Sequence, residues 1–222
     1  MLVINKEKKS TMDTTQYVSP TRVDRSGSKI HDIMFAKAYC IKNNYKYIGC
    51  QPPLIAEAKS LLEYLNIFSS SKINSQNVKR LDRSIYRKND SDNFTQIVRD
   101  KIISKCKRYK VNSNLTITVL IRRGDVCPKR YPSRYLYNKY YVDILDKILS
   151  QLKKYNDKNV IINICSERKS FESFNVFEKM NSSHCRVKLQ LDTKIVDVVD
   201  LAINADILIM SRSSFSFVPA FY

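Results

Sequence analysis

The sequence predicts an α/β fold built on parallel sheets, and three observations carry that prediction. Uninterrupted apolar, strand-type runs occur at Leu115–Ile121 (LTITVLI), Asn159–Cys165 (NVIINIC) and Asp206–Met210 (DILIM). Runs without polar alternation are the mark of strands covered on both faces. Segments of helical period lie between the strands, and that alternation calls for parallel strands joined by right-handed helical crossovers. At 222 residues, 43% of them hydrophobic, with 14 Tyr and 9 Phe, the chain has enough apolar surface to offset the entropy of ordering it.

Taken in order, residues 1–20 read as a polar arm with a short strand near Thr15–Val18. Ile30, Ile33, Met34, Ala38 and Ile41 recur at helical spacing, and Asn43 and Asn44 end that helix. Tyr45–Cys50 reads as the next strand, broken by Pro52 and Pro53, and Ile55–Ile67 returns to helical period. The polar stretch Ser69–Asn89 reads as a loop. Asp92 is an N-cap for a helix over Phe94–Lys107, with Phe94, Ile97, Val98, Ile102 and Ile103 on one face. After the Leu115 strand, Tyr137–Lys154 carries the clearest helical pattern of the chain. Ile195–Ala205 reads as a further helix before the strand at Asp206–Met210. A boundary near residues 108–113 divides the chain into halves, 21–110 and 111–222, with a cleft between them.

Composition narrows the function classes. No window supplies the roughly eighteen apolar residues of a membrane span, and the apolar part of MLVINKEKKS is too short for a signal peptide, so the chain reads as cytoplasmic. The six cysteines show no C-x-x-C pairing or metal spacing and read as buried or half-buried thiols. The sequons at Asn89, Asn93, Asn114 and Asn181 fit an Asn- and Ser-rich composition, and Asn114 opens a buried strand, a poor place for a glycan. A net charge of +18 attracts polyanions, RNA or a nucleotide diphosphate, but the lysines are spread along the whole chain, as a compositional bias would spread them.

The strand Leu115–Ile121 delivers Arg122, Arg123, Gly124 and Asp125 to one point. In parallel sheets ligands sit off the carboxyl ends of the strands. There a guanidinium fork holds a phosphate through two parallel hydrogen bonds, and a glycine lets the backbone bend or approach the ligand. The competing reading is a basic, solvated turn, with Asp125 paired to Arg123. The block resembles the H-x-R-R-G-D signature of the inverting fucosyltransferase superfamily (α1,2-, α1,6- and protein O-fucosyltransferases), with Leu120 at the histidine position. Ala205–Ser216 (ADILIMSRSSFS) is similar to that family's C-terminal block, with Arg212 for its asparagine, and Gly27–Asn44 resembles its first glycine-containing loop and helix.

The resemblance implies a GT-B-like fold of two Rossmann-like halves, with the acceptor on the first half and the sugar nucleotide on the second. It implies a metal-independent glycosyltransferase acting with inversion, most simply on GDP-fucose, with a glycan or protein acceptor. Such members continue past the last strand, so the C-terminal half reads as truncated. Arg122 matches the arginine that contacts the β-phosphate and Arg123 its neighbour, while Asp125 orients them or contacts the nucleotide. Ser213, Ser214 and Ser216, at the start of a helix, form the second wall of the phosphate pocket; the simpler alternative is an N-cap serine.

Asp197 or Asp200 is placed to read guanine, the alternative being a solvated helix face. Gly27, with Ser28 and His31, faces the cleft from the first half. Asp32 is an outside candidate for the base that deprotonates the acceptor. Asp90-Ser91-Asp92 fits a metal-binding D-x-D but suits helix capping better, and Arg123-Gly124-Asp125 as an integrin sequence is coincidence. Two rival readings remain: a basic nucleic-acid-binding protein stacking bases on its Lys-interleaved tyrosines, and a catalytically inactive remnant of the same fold.

Overall fold

The computed structural model describes residues 16–20, 26–51, 56–65, 67, 78–82, 84, 96, 97, 100, 113–155 and 159–222. The arm before residue 16, the Asp90-Ser91-Asp92 triplet, Cys106 and nearly all of the helix expected over Phe94–Lys107 lie outside them.

Two parallel sheets are present. The first has strands β1 (Gln16–Pro20), β2 (Lys46–Gln51) and β3 (Val78–Arg80) in the order β2-β1-β3. The second has β4 (Leu115–Leu120), β5 (Val160–Ser166), β6 (Cys185–Leu191) and β7 (Ile207–Ile209) in the order β6-β5-β4-β7. The described helices are α1 (Ser26–Lys42), α2 (Ala56–Tyr64), α3 (Asn138–Tyr155), the single turn α4 (Asn175–Glu178), α5 (Ile195–Ile203) and α6 (Ser214–Ala220). The α/β class and the parallel sheets are as the sequence predicts. Among the described residues, no helix is long and apolar enough to cross a membrane.

β4 is an inner strand of the second sheet, paired in parallel with β5 on one side and β7 on the other. Ile117, Val119, Ile162 and Ile164 pack in one core with Tyr141, Leu145 and Phe177. The threonines of β4 are held rather than orphaned: Thr118 Oγ1 donates to the Leu201 carbonyl at 2.9 Å, and Thr116 donates through both N and Oγ1 to Asp206 Oδ2, at 2.7 and 2.8 Å. These bonds fix α5 and the start of β7 against that strand.

The first half is built around α1. Ile30, Ile33 and Met34 share a core with Leu61 and Leu62 of α2 and with Leu65 just after it, and two residues past α1 Asn44 has a φ of 56°, the left-handed turn that asparagine tolerates. The last turn of the chain also joins this core. Val218 of α6 and Tyr222 are buried there, and Tyr222 Oη donates to the Leu65 carbonyl at 3.2 Å. α6 thus follows the last strand of the second sheet yet packs on the helices of the first.

Three features depart from the sequence reading. The loop expected over Ser69–Asn89 contains β3, three residues long and too short to show a period. β6 was not anticipated; CRVKLQL alternates charged and apolar residues as an edge strand does, and lacks the continuous apolar run of β4 and β5. Gly27 belongs to the first turn of α1 rather than to a loop.

Candidate functional site

The order of the second sheet locates a crevice before any side chain is considered. The chain runs from β4 outward through β5 to β6, then returns to the other flank of β4 as β7. The order therefore reverses between β4 and β7, and a crevice opens off the carboxyl ends at such a reversal. A pocket of about 380 Å³ lies there. Its wall takes Arg122 and Arg123 from the loop after β4, Ser166 from the end of β5 and Glu167 just beyond it, Asp192 and Thr193 from the loop after β6, Ser211 and Ser213 from the loop after β7, and Gly27 from α1.

Arg122 and Arg123 are neighbours with different fates. Arg122 keeps 23% of its side chain exposed and is aimed by Asp125, whose carboxylate meets Nη2 at 2.7 Å. Arg123 is 1% exposed. Its Nε donates to Ser170 Oγ at 3.1 Å, Nη1 to the Arg122 carbonyl at 2.9 Å, and Nη2 to Asn138 Oδ1 at 2.6 Å, with Glu172 at 3.4 Å. Its guanidinium lies 4.2 Å from the centre of the Tyr135 ring. Burial pulls the Arg123 pKa down, while Tyr135, Tyr141 and Glu172 act against that pull. The Arg123 guanidinium is thus committed to the loops after β4 and β5, and its bond to the Arg122 carbonyl fixes the backbone that presents Arg122. Asp125 pairs with Arg122, not with Arg123 as the turn reading supposed.

Gly124 has φ 71°, and a Cβ there would collide with the Glu167 carboxylate; its N–H donates to the Lys169 carbonyl at 2.9 Å. The glycine therefore serves a left-handed turn and the seating of Glu167. Leu120, at the position of the motif histidine, is buried with Cys165 and Ala202, so the pocket floor is apolar at that point. Burial pushes the Cys165 thiol up to about 12, which keeps it neutral and unreactive at ordinary pH.

Ser213 is the N-cap of α6, its Oγ accepting from the Phe215 N–H at 3.3 Å. Ser216 is buried and bonded to Ser211 Oγ at 3.0 Å. Ser213 and Ser216 line the pocket and Ser214 does not. Arg212, in place of the motif asparagine, donates to the Ser133 carbonyl at 2.8 Å and ties the loop after β7 to the loop after β4.

From the other half, α1 brings its N-terminus to the pocket with no acidic residue in its first turn. The positive end of the helix dipole favours an anion there. The approach is close: a Cβ on Gly27 would lie 2.6 Å from Phe215 Cα and 2.7 Å from Phe215 N. Because the obstacle is backbone, Gly27→Ala must push α6 off α1. The expected cost is roughly 2–3 kcal/mol, read as a fall in Tm of about 4–10 °C; an unchanged melting curve would show that the seam yields freely.

Other residues singled out in the sequence lie elsewhere. His31 sits against Phe35, with ring centres 4.2 Å apart, and does not line the pocket. Asp32 is buried in α1, also off the pocket. Asp197 is exposed on α5. Asp200 faces the other half, accepting from Tyr64 Oη and from Asn204 Nδ2. Neither aspartate lines the pocket. Polar residues missed in the sequence include Ser166, Glu167, Asp192 and Thr193, at or just past a strand end; their signal was the carboxyl end of β5, which was legible, and of β6, which was not.

Comparison with protein-family models, with curated proteins and with solved structures finds no match for this chain.

Proposed function

We propose that this chain is a metal-independent glycosyltransferase of GT-B-like architecture that transfers a sugar with inversion from a nucleoside diphosphate donor. GDP-fucose is the first candidate donor, and a glycan or protein is the acceptor. The observation that carries the reading is the meeting of Arg122, positioned by Asp125, with the N-terminus of α1 at the crevice between β4 and β7. Two fixed sources of positive potential there face one cavity of a volume suited to a small ligand. The fucosyltransferase-like motifs add the choice of donor.

In the reaction, the acceptor hydroxyl oxygen attacks the anomeric carbon from the face opposite the diphosphate. The bond from that carbon to the β-phosphate oxygen breaks, and the diphosphate leaves with the electron pair. Fixed donors aimed at the departing oxygens are what this step requires. Arg122 supplies a two-pronged donor and α1 the positive end of its dipole, so charge neutralisation is assigned to the protein rather than to a metal. The hydroxyl proton passes to a base. Glu167 and Asp192 are carboxylates on the pocket wall, whereas Asp32 does not line it. With Asp197 and Asp200 turned away, guanine recognition has no assigned side chain.

Calorimetric titration with GDP, GDP-fucose, UDP and UDP-xylose tests this. The expected result is saturable binding of the guanine nucleotides with little or none of the uridine ones. Folded protein that binds none of them would overturn the donor-site reading and favour an inactive remnant.

A further inference from the structure

The pocket engages one partly exposed guanidinium, already paired with Asp125, so it leaves most of the +18 charge without a role. A local excess of positive charge lies beside the pocket. Between Asp125 and Asp143 the chain has no acidic residue but carries Lys129, Arg130, Arg134 and Lys139. This loop and the start of α3 are also rich in tyrosine. Tyr135 is buried, stacked under Arg123, and two rings stand edge-on to it: Tyr137 at 5.2 Å and Phe171 at 6.5 Å between centres. Those outer rings are open to solvent, Phe171 at 72% and Tyr137 at 51% exposed. Arg130 and Arg134 flank the Tyr131 ring at 5.4 and 5.7 Å. None of Tyr137, Phe171, Arg130 or Arg134 lines the pocket.

We propose that Tyr137 and Phe171, with Arg130 and Arg134, form a binding surface for single-stranded nucleic acid, separate from the pocket. The chemistry is that of strand binding without sequence readout: solvent-facing rings on which bases stack, and guanidinium groups that meet phosphates and also stack. The buried Tyr135–Arg123 stack holds both rings from beneath, so little ordering is lost when a base settles on them. An anionic glycan would meet the same cations and is therefore a competitor in the test. A duplex hides its base faces and would use the cations alone.

The test is fluorescence anisotropy with a labelled RNA of about 15 nucleotides, close to the upper site size of such surfaces, titrated with the full chain at several salt concentrations. The Tyr137→Ala/Phe171→Ala variant is expected to bind roughly 10- to 100-fold more weakly, with an unchanged denaturation midpoint because both rings are exposed. The Arg130→Ala/Arg134→Ala variant should lose affinity and flatten the salt dependence of log K by about 1–2. Saturating GDP should not displace the RNA, which separates this surface from the pocket whether or not the pocket binds a sugar nucleotide. Equal RNA affinity in the ring variant, displacement by GDP, or duplex RNA or a heparin oligosaccharide binding as tightly as the single strand would each overturn the proposal.

Discussion

Arg123→Ala is expected to destabilise the chain by roughly 3–5 kcal/mol, the cost of removing one partner of a buried charged network. The side chain is 1% exposed, and its removal empties the space above Tyr135. Glu172, which also accepts from Tyr135 Oη at 3.0 Å and from the Asn138 N–H at 2.9 Å, then loses the cation beside it. Asn138 Oδ1 loses its 2.6 Å donor and the Arg122 carbonyl its 2.9 Å donor. Arg123→Lys should recover only part of this, since an ammonium cannot reach Ser170, Asn138 and the Arg122 carbonyl at once. Urea denaturation of the two variants checks the order; a midpoint for Arg123→Ala within about 1 kcal/mol of wild type, the range of ordinary surface changes, would mean the network is dispensable.

How much of this was legible depended on which residues announce themselves. β4, β5 and α3 were readable because continuous apolar runs and a strong helical period leave little choice of element. β6 was lost because an edge strand alternates, and its charged residues looked like loop. The position of the pocket followed from the strand ends, yet the residues facing it did not. Consecutive residues of an extended segment point to opposite sides, so of two adjacent arginines that both line the pocket one keeps its guanidinium partly exposed and the other buries it. Periodicity alone does not say which is which; the choice of Arg122 came from the resemblance of the block. Asp200 shows the same limit from the other side. It sits on a helix with the spacing expected of a ligand contact, but its face is decided by Tyr64, 136 positions earlier in the chain. Long-range packing of this kind leaves no local trace. Gly27 was legible as important but for another reason: the helix α6 that passes against it comes from the far end of the sequence.

Arg122→Ala should give the opposite pattern to its neighbour. The side chain is partly exposed and its ion pair is with Asp125, itself 43% exposed. Pairs of that kind contribute about 0–1 kcal/mol to stability, so the melting curve should barely move. Transfer should instead fall by roughly 100- to 1,000-fold, the loss of one preorganised donor to developing charge, and nucleotide binding should weaken with it. Arg122→Lys should fall between, keeping the charge but not the fork that matches a phosphate edge. Asp125→Asn should weaken binding less than either, because it frees the guanidinium from its tether without removing it. Calorimetry with GDP on the three variants, alongside their denaturation midpoints, distinguishes a ligand-binding arginine from a structural one. If Arg122→Ala loses stability as Arg123→Ala does while GDP affinity is unchanged, both arginines belong to the scaffold and the pocket must find its anion contact at α1. If stability holds and affinity collapses, the two adjacent residues have divided the work, one fixing the loop and the other meeting the phosphate.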